Sequence, residues 1–266
     1  MLHNPRLATE DIKQYLYADC QRQVEAGQHY LVIQDTTQPN FERNRANITH
    51  PAGLGTIGNQ QQGQLGFLLH PSLVVEAQHG RCIGYSNVIH WSREAQTAGK
   101  HQRHYKQQLI EDKESYRWLQ AAKESQSVLR QAGQLTIIAD REGDINELFE
   151  RLPDERTQRL IRSCQDRRLA NESRKLYAYL GEQVLGGSFS LHIKGEQRTG
   201  RGKRVATIAL RWAQVRLAPA ALKGQVLTVY ALEAREEHPP QGEKPIRWRL
   251  LTTHRLENAD QARQVD

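Results

Sequence analysis

Two aspartates stand directly after short apolar runs, where a β-strand would end. Residues 30–34 precede Asp35, and residues 135–139 precede Asp140. Ligands of open α/β sheets bind beyond the carboxyl ends of the strands, and paired carboxylates suit hard divalent cations such as Mg²⁺. The pattern predicts a shared metal site able to serve the attacking and leaving oxygens of a phosphodiester. The alternative is that each aspartate only caps or terminates its strand.

The elements that must position these aspartates can be predicted from hydrophobic spacing. After Asp140, Asp144 precedes a segment with helical spacing and is a plausible N-cap for a helix over 145–152. Residues 114–132 also have a helical period, with Gly133 as the predicted C-cap. Two further apolar runs, 65–77 and 81–91, predict strands that form three successive antiparallel strands with the first aspartate strand.

The rest of the chain divides between helix and strand patterns. A lead-in helix is predicted within residues 7–28, a short strand at 158–163 and a helix at 175–180. Alternation of apolar and polar residues then predicts four β segments separated by glycine and proline turns. These segments are residues 188–194, 204–211, 225–231 and 246–252.

Positive charge is the clearest signal in the composition. The 266 residues carry a net charge of +7, which favours a polyanionic partner, nucleic acid first. Residues 156–216 contain fourteen Lys and Arg against four Asp and Glu. Within this segment Arg201, Lys203 and Arg204 form a basic turn suited to phosphate contact. The alternative is a set of solvated strand faces.

Several classes of protein are disfavoured by the sequence. No apolar run approaches membrane-spanning length, and residues 1–6 contain no apolar signal region, which predicts a cytoplasmic protein without a membrane partner. Cys20, Cys82 and Cys164 form no CxxC motif and are interpreted as plain thiols. The chain has no GxSxG motif, and the glycines of residues 53–58 lack the strand and helix of a phosphate-binding loop.

With these residues in view, the chain resembles the DDE transposases of bacterial insertion sequences. It is similar to the branch with a β-strand insertion in an RNase H-like core and a Tyr-x2-Arg-x3-Glu-x6-Lys signature. The matching pieces occur in family order and cover nearly the whole chain. They are residues 34–37, 53–58, 68–75, 113–118, 140–145, 160–163 and 248–253.

The resemblance implies a fold class and a domain organisation. The expected fold is α/β, an RNase H-like mixed sheet flanked by helices, with an antiparallel β-rich insertion near the C-terminus. The expected segments are a lead-in helix, an incomplete catalytic core, the β-rich subdomain and the start of a return segment to the core. Their boundaries are residues 1–29, 30–182, 183–253 and 254–266.

The resemblance also implies roles for individual residues. Asp35 and Asp140 would be two catalytic carboxylates that bind Mg²⁺ or Mn²⁺. Arg162 would contact a DNA phosphate near the cleaved end, and Trp248 would offer a stacking face for a flipped base. For Trp248 the alternative is a buried core residue. Arg141 would support the site, and the partner would be double-stranded DNA at transposon ends, in a nucleoid-associated protein.

This chain departs from the family pattern at the third carboxylate. The signature helix should follow a strand like residues 248–253, yet no Tyr-x2-Arg pattern occurs before Asp266. We therefore expect a truncated or split transposase that is not competent for transposition alone and works with an intact transposase or a downstream fragment. Two other functions remain open: a DNA-binding or inhibitory module, and a basic nuclease whose third acid is Glu142 or Glu233.

Overall fold

A computed structural model describes most of the chain as two compact units. The first unit comprises residues 1–139 and 151–157, and the second comprises residues 140–150 and 158–266. No helix within the described segments is long and apolar enough to cross a membrane. The described residues are 8–49, 53–58, 63–93, 108–152, 155–195, 202–218 and 225–264.

The first unit is a mixed sheet with two helices. Its sheet has the strand order β5-β4-β1-β6, and β2 and β3 form a separate two-stranded pair. β1 is antiparallel to β4, and β4 is antiparallel to β5, which confirms the three successive antiparallel strands. The elements are α1 (Thr9–Arg22), β1 (His29–Gln34), β2 (Gly55–Ile57), β3 (Gln64–Gly66), β4 (Leu68–Glu76), β5 (Cys82–Trp91), α2 (Tyr116–Val128) and β6 (Gln134–Ala139).

Burial explains why β1 and β6 lie side by side in this sheet. Alternate residues of β1 are buried, and four of the six residues of β6 are buried. The two strands are parallel, with Val32 opposite Ile137 and Gln34 opposite Ala139. Val32 and Ile137 have no exposed surface. Parallel strands are usually covered on both faces, and the long apolar run of β6 fits that position.

The glycine before β6 has a different role from the one predicted. Helix α2 ends at Val128, so the predicted C-cap Gly133 lies beyond the helix. A Cβ on Gly133 would lie 2.3 Å from the carbonyl oxygen of Gly27. The backbone N–H of Gly133 also donates to the carbonyl of Gln28. Close approach of two backbones therefore requires glycine here, at the entry to β6.

The second unit is dominated by antiparallel strands. β7, β11, β10, β9 and β8 are neighbours in that order, and each neighbouring pair is antiparallel. The four predicted β segments are confirmed as β8 to β11, with β9 and β10 longer than predicted. The elements are α3 (Asn146–Glu150), β7 (Thr157–Arg162), α4 (Leu176–Gly181), β8 (Gly187–Ile193), β9 (Arg204–Leu217), β10 (Leu227–Glu237), β11 (Arg247–Thr252) and α5 (Ala259–Gln264).

One face of the β8–β11 strands carries a hydrophobic cluster. Its buried centre includes Ile208, Leu210 and Leu232, which are at most 1% exposed. Leu256 and Ala262, beside and on α5, complete the cluster, and Trp212, Trp248 and Leu250 are among the partly buried side chains packed against it. Because side chains alternate along a strand, the intervening residues of β9, β10 and β11 face the other way.

Candidate functional site

The two predicted metal ligands follow paired positions of one sheet. In the first unit Gln34, the last residue of β1, is opposite Ala139, the last residue of β6. Asp35 and Asp140 are the next residues along the chain. Since β1 and β6 are parallel, both aspartates come after a carboxyl strand end, where α/β proteins bind ligands. Asp140 is the first residue of the second unit.

Asp35 is exposed, and the backbone of the next residue fixes one of its oxygens. Oδ1 accepts a hydrogen bond from the backbone N–H of Thr36 at 2.7 Å. Among the described residues no donor to Oδ2 is found. The carboxylate is therefore oriented by its own chain and keeps one oxygen for another partner.

Asp140 has a closely similar local arrangement. It is exposed and precedes a single 3₁₀ turn, Arg141–Gly143. Its Oδ1 accepts from the backbone N–H of Glu142 at 2.9 Å, and no donor to Oδ2 is found within the described ranges. Both aspartates thus combine a local backbone hydrogen bond with an exposed carboxylate.

The side chains of Thr36, His70 and Arg117 form a polar group next to Asp35. The cation in this group, Arg117, was not predicted from the sequence. Thr36 Oγ1 accepts from Arg117 Nε at 3.1 Å and lies 2.9 Å from His70 Nδ1. Burial lowers the pKa of His70 to about 3, so the imidazole is neutral. The Arg117 guanidinium also lies over the ring of Trp91, 5.2 Å from its centroid. Arg117 therefore places a positive charge beside the residue that follows Asp35.

The signal that could have found Arg117 was present in the sequence. Arg117 is flanked by Tyr116 and Trp118 near the start of α2, within the segment 113–118. A guanidinium with aromatic neighbours can be held in place by stacking on their rings. From the sequence, residues 113–118 were interpreted only as one of the pieces that match the DDE transposases, and no role was predicted for Arg117.

Asp144 is a buried ion-pair partner and not the predicted N-cap of the following helix. The side chain of Asp144 has no exposed surface, and its Oδ1 lies 2.7 Å from Nη1 of Arg167, which is 8% exposed. Oδ2 accepts from the backbone N–H groups of Cys164 and Gln165 at 2.8 and 3.1 Å. Asp144 therefore fixes the segment that follows β7, and α3 is shorter than predicted, Asn146–Glu150.

Arg162 and Arg141, the predicted DNA contacts of the core, lie at element ends in the second unit. Arg162 is the last residue of β7, is half-buried and is opposite Leu250 of β11. Arg141 is exposed in the 3₁₀ turn, and its carbonyl accepts from Cys164 Sγ at 3.2 Å. Among the described residues no acidic partner of the Arg162 guanidinium is found, which leaves its charge available to a phosphate. That contact remains a prediction.

Trp248 is neither a fully buried core residue nor a fully exposed stacking face. It is a residue of β11, half-buried, and packs against the hydrophobic cluster of β8–β11. Part of the indole is thus in the core and part is accessible. Its role as a stacking face stays a prediction.

The predicted basic turn is only partly described, and one member is already neutralised. Arg201 lies outside the described residues, and Lys203 is exposed. Arg204 donates from Nε to Glu236 at 2.9 Å and also pairs with Glu243. The hydrogen bond from Arg204 to Glu236 is the main reason that the pKa of Arg204 is raised above its ordinary value. A DNA phosphate would have to compete with two carboxylates for this guanidinium.

No third metal ligand accompanies the two aspartates in the part of the chain that the structure describes. There, no group of three or more His, Cys, Asp or Glu side chains could hold a metal ion. Glu142 is exposed next to Asp140. Glu233 is 3% exposed and accepts from Arg249 at 2.8 Å, so its carboxylate is already engaged. This weighs against a nuclease site that uses Glu233.

The donor set at the strand ends fits a hard divalent cation. Asp35 and Asp140 offer exposed carboxylate oxygens, each held by one backbone N–H. Mg²⁺ prefers one or two carboxylates and keeps several coordination positions for water or phosphate oxygens. Each aspartate therefore offers a carboxylate oxygen of the kind that Mg²⁺ binds.

Comparison with known proteins finds a distant structural likeness. None of the protein-family models searched matches the chain. Among solved structures the chain is similar to a piggyBac transposase, described in a synaptic complex with hairpin DNA, at a TM-score of 0.36 and 13% identity. The likeness covers 91% of this chain and 37% of the other, so the chain spans well under half of that protein. A TM-score this low does not establish a shared fold.

Proposed function

We propose that this protein binds double-stranded DNA and takes part in metal-dependent phosphodiester chemistry of the DDE transposase type. Asp35 and Asp140 are the proposed ligands of Mg²⁺ or Mn²⁺. The observation that carries the proposal is the parallel register of β1 and β6, in which Gln34 and Ala139 are opposite each other and an exposed aspartate follows each. The resemblance of the sequence to insertion-sequence transposases supports the same reaction class.

Two arginines have proposed roles that follow from their charge. A bound divalent cation would polarise a phosphodiester and neutralise its charge. Arg117, beside Thr36, would attract a phosphate oxygen to the Asp35 side of the site, and Arg162 would hold a second phosphate. Positioning of this kind supplies most of what a protein contributes to phosphoryl transfer.

The finer proposals concern the fold and the DNA that is bound. We propose an RNase H-like arrangement in which β8–β11 are an insertion, with Trp248 available to stack a displaced base at a transposon end. An intact transposase or a separate fragment is a proposed partner.

The metal site is tested by titration of Mn²⁺ into the apoprotein, with the free ion followed by electron paramagnetic resonance. We expect Asp35→Asn and Asp140→Asn each to weaken Mn²⁺ binding at least about tenfold, because each removes one of two charged ligands. The matched control is Asp112→Asn, since Asp112 is exposed and acidic and lies in a separate 3₁₀ turn. If both variants bind Mn²⁺ as tightly as the wild type, the proposed site is wrong.

A second candidate is a DNA-binding or inhibitory module that acts without chemistry. It is favoured by the absence, within the described residues, of a group of three metal-ligating side chains. The two functions differ in their response to Mg²⁺. If Asp35 and Asp140 are ligands, Mg²⁺ should increase DNA affinity, and Asp35→Ala with Asp140→Ala should abolish the increase. In a module without a metal site, Mg²⁺ should change the DNA affinity of the wild type and of the double variant by the same factor.

A further inference from the structure

A row of charged residues crosses three strands of the second unit. In the antiparallel ladder Glu233 of β10 is directly opposite Arg211 of β9 and Arg249 of β11. Two residues further along β10, Arg235 is directly opposite Arg247 of β11. Residues that are directly opposite share a face, as do residues two apart on one strand. We call this surface, Arg211, Arg235, Arg247 and Arg249 around Glu233, the arginine face.

The arginine face lies on the side opposite the hydrophobic cluster. Leu210, Leu232 and Trp248 alternate with its residues and belong to that cluster. Arg235 and Arg247 are exposed, and Arg211 and Arg249 are half-buried. The guanidinium groups are therefore presented away from the hydrophobic cluster.

A buried carboxylate organises the centre of this face. Glu233 is 3% exposed. It accepts from Arg249 Nε at 2.8 Å and lies 3.6 Å from Arg247 Nε. The Arg249 guanidinium is also stacked 3.9 Å above the ring centroid of Tyr177 in α4. Arg249 is thus held by an acid and an aromatic ring.

The four arginines outnumber the acids that face them. Glu237, half-buried two residues beyond Arg235, is the other acid of β10 on this side. Among the described residues no acidic partner of Arg211 or Arg235 is found. Burial lowers the pKa of Arg247, and the charges of Arg235 and Arg249 act in the same direction. Arginine nevertheless stays protonated, so the face keeps an excess of positive charge.

Arg235 and Arg247 are like charges directly opposite each other, and Glu233, 3.6 Å from Arg247, offsets part of their repulsion. Like charges directly opposite each other destabilise an antiparallel pair. An anion that bridges the two guanidinium groups would remove that repulsion, and the planar fork of arginine matches phosphate oxygens in a bidentate manner. The two guanidinium groups are therefore well placed to bind one phosphate together.

The spacing of the arginines suits a nucleic-acid backbone. Neighbouring strands lie about 4.8 Å apart, and residues two apart along a strand lie about 7 Å apart. The Cα positions of the face thus extend for about 10 Å in one direction and about 7 Å in the other. Successive phosphates of one DNA strand advance about 3.4 Å along the helix axis, so this area can meet two or three of them.

We propose that the arginine face binds the phosphodiester backbone of double-stranded DNA through Arg211, Arg235 and Arg247. Arg249, held by Glu233 and Tyr177, orients the row. The choice of DNA rests on the proposed function, whereas the anion-binding surface follows from the ladder itself. Contacts to phosphate give affinity without sequence preference.

The test is the salt dependence of duplex DNA binding, measured by fluorescence anisotropy in EDTA. Arg211→Gln with Arg235→Gln should lower affinity by about tenfold or more at ~0.1 M KCl and reduce the slope of log K against log salt by about two. The matched control is Arg22→Gln with Arg81→Gln, which removes the same charge from exposed arginines of the first unit. The control should keep the wild-type slope.

A charge-retaining variant separates binding from folding. Arg211→Lys with Arg235→Lys should restore most of the slope, because lysine also neutralises phosphate. Circular dichroism at the assay temperature should show that all variants are folded. The proposal is overturned if the glutamine pair keeps the wild-type slope, or if the control pair loses as much slope. Because no metal is present, that failure would leave the Asp35 and Asp140 proposal untouched.

Discussion

At the scale of single residues, tertiary partners decide what each charge does. Asp144 and Asp140 stand four positions apart, yet one is buried against Arg167 and the other is exposed. Local sequence predicts both as turn acids. The difference arises because Arg167, twenty-three residues further along the chain, approaches Asp144 and not Asp140.

The buried ion pair of Asp144 and Arg167 should contribute strongly to stability. Asp144→Asn leaves the Arg167 charge buried without a counterion, which costs about 3–5 kcal/mol. A urea titration followed by circular dichroism should show the loss. The control is Glu257→Gln, which breaks the exposed pair with Arg255 and should cost under about 1 kcal/mol. Equal midpoints for the two variants would contradict the assigned role.

The three thiols should differ in reactivity because burial acts on them differently. Cys20 has no exposed surface, and burial raises its pKa to about 12. Burial also raises the pKa of Cys164, although this thiol is exposed, and Cys82 is exposed as well. Only the thiolate reacts, so at pH 8 a chromogenic disulfide reagent should modify Cys82 first, Cys164 more slowly and Cys20 only after unfolding. Rapid modification of Cys20 in the native protein would contradict this order.

At the scale of elements, strand patterns were predictable and their register was not. Alternation in the sequence located β8 to β11, but it could not show that Glu233 is opposite Arg211 and Arg249. Arg211 lies in the basic segment identified from the sequence, whereas Arg235 lies outside it. The arginine face therefore emerges only when the strands are paired.

Helix ends were harder to predict because neighbouring backbone and distant side chains set them. Gly133 was predicted as a helix cap and instead permits the close approach of Gly27. Gly133→Ala would force that carbonyl and the start of β6 apart, at a cost of about 1–3 kcal/mol. Differential scanning calorimetry should show a lower melting temperature. Gly181→Ala is the control, because a Cβ added at Gly181 would have nothing within 4 Å, and this variant should melt like the wild type.

At the scale of the whole molecule, net charge predicts a polyanionic partner but not the binding surface. Several arginines of residues 156–216 are engaged by acids, such as Arg167 by Asp144, Arg174 by Glu172 and Arg204 by Glu236. These cations stabilise the fold and are less available to DNA. A count of charges along the chain therefore overestimates the positive charge that is available for binding in residues 156–216. It also leaves out Arg235 and Arg247, which lie beyond that segment.

A substitution of Arg204 can distinguish a cation that stabilises the fold from a cation that binds phosphate. Arg204→Gln should lower the melting temperature, because Glu236 is 3% exposed and would lose its cation. The salt slope of DNA binding should stay unchanged, since this guanidinium is already neutralised. Both quantities can be measured on one preparation. A normal melting temperature with a reduced slope would instead make Arg204 a phosphate contact.

The alternation on β11 has a consequence for folding fidelity. Arg247 and Arg249 face one way, and Trp248 faces the hydrophobic cluster. A register shift of one residue between β10 and β11 would place the guanidinium groups of Arg247 and Arg249 against the hydrophobic cluster. It would also expose the indole of Trp248 to water. A misaligned pairing of β10 and β11 is therefore unfavourable for two reasons. The alternation of arginine and tryptophan on β11 thus favours the correct register of the two strands.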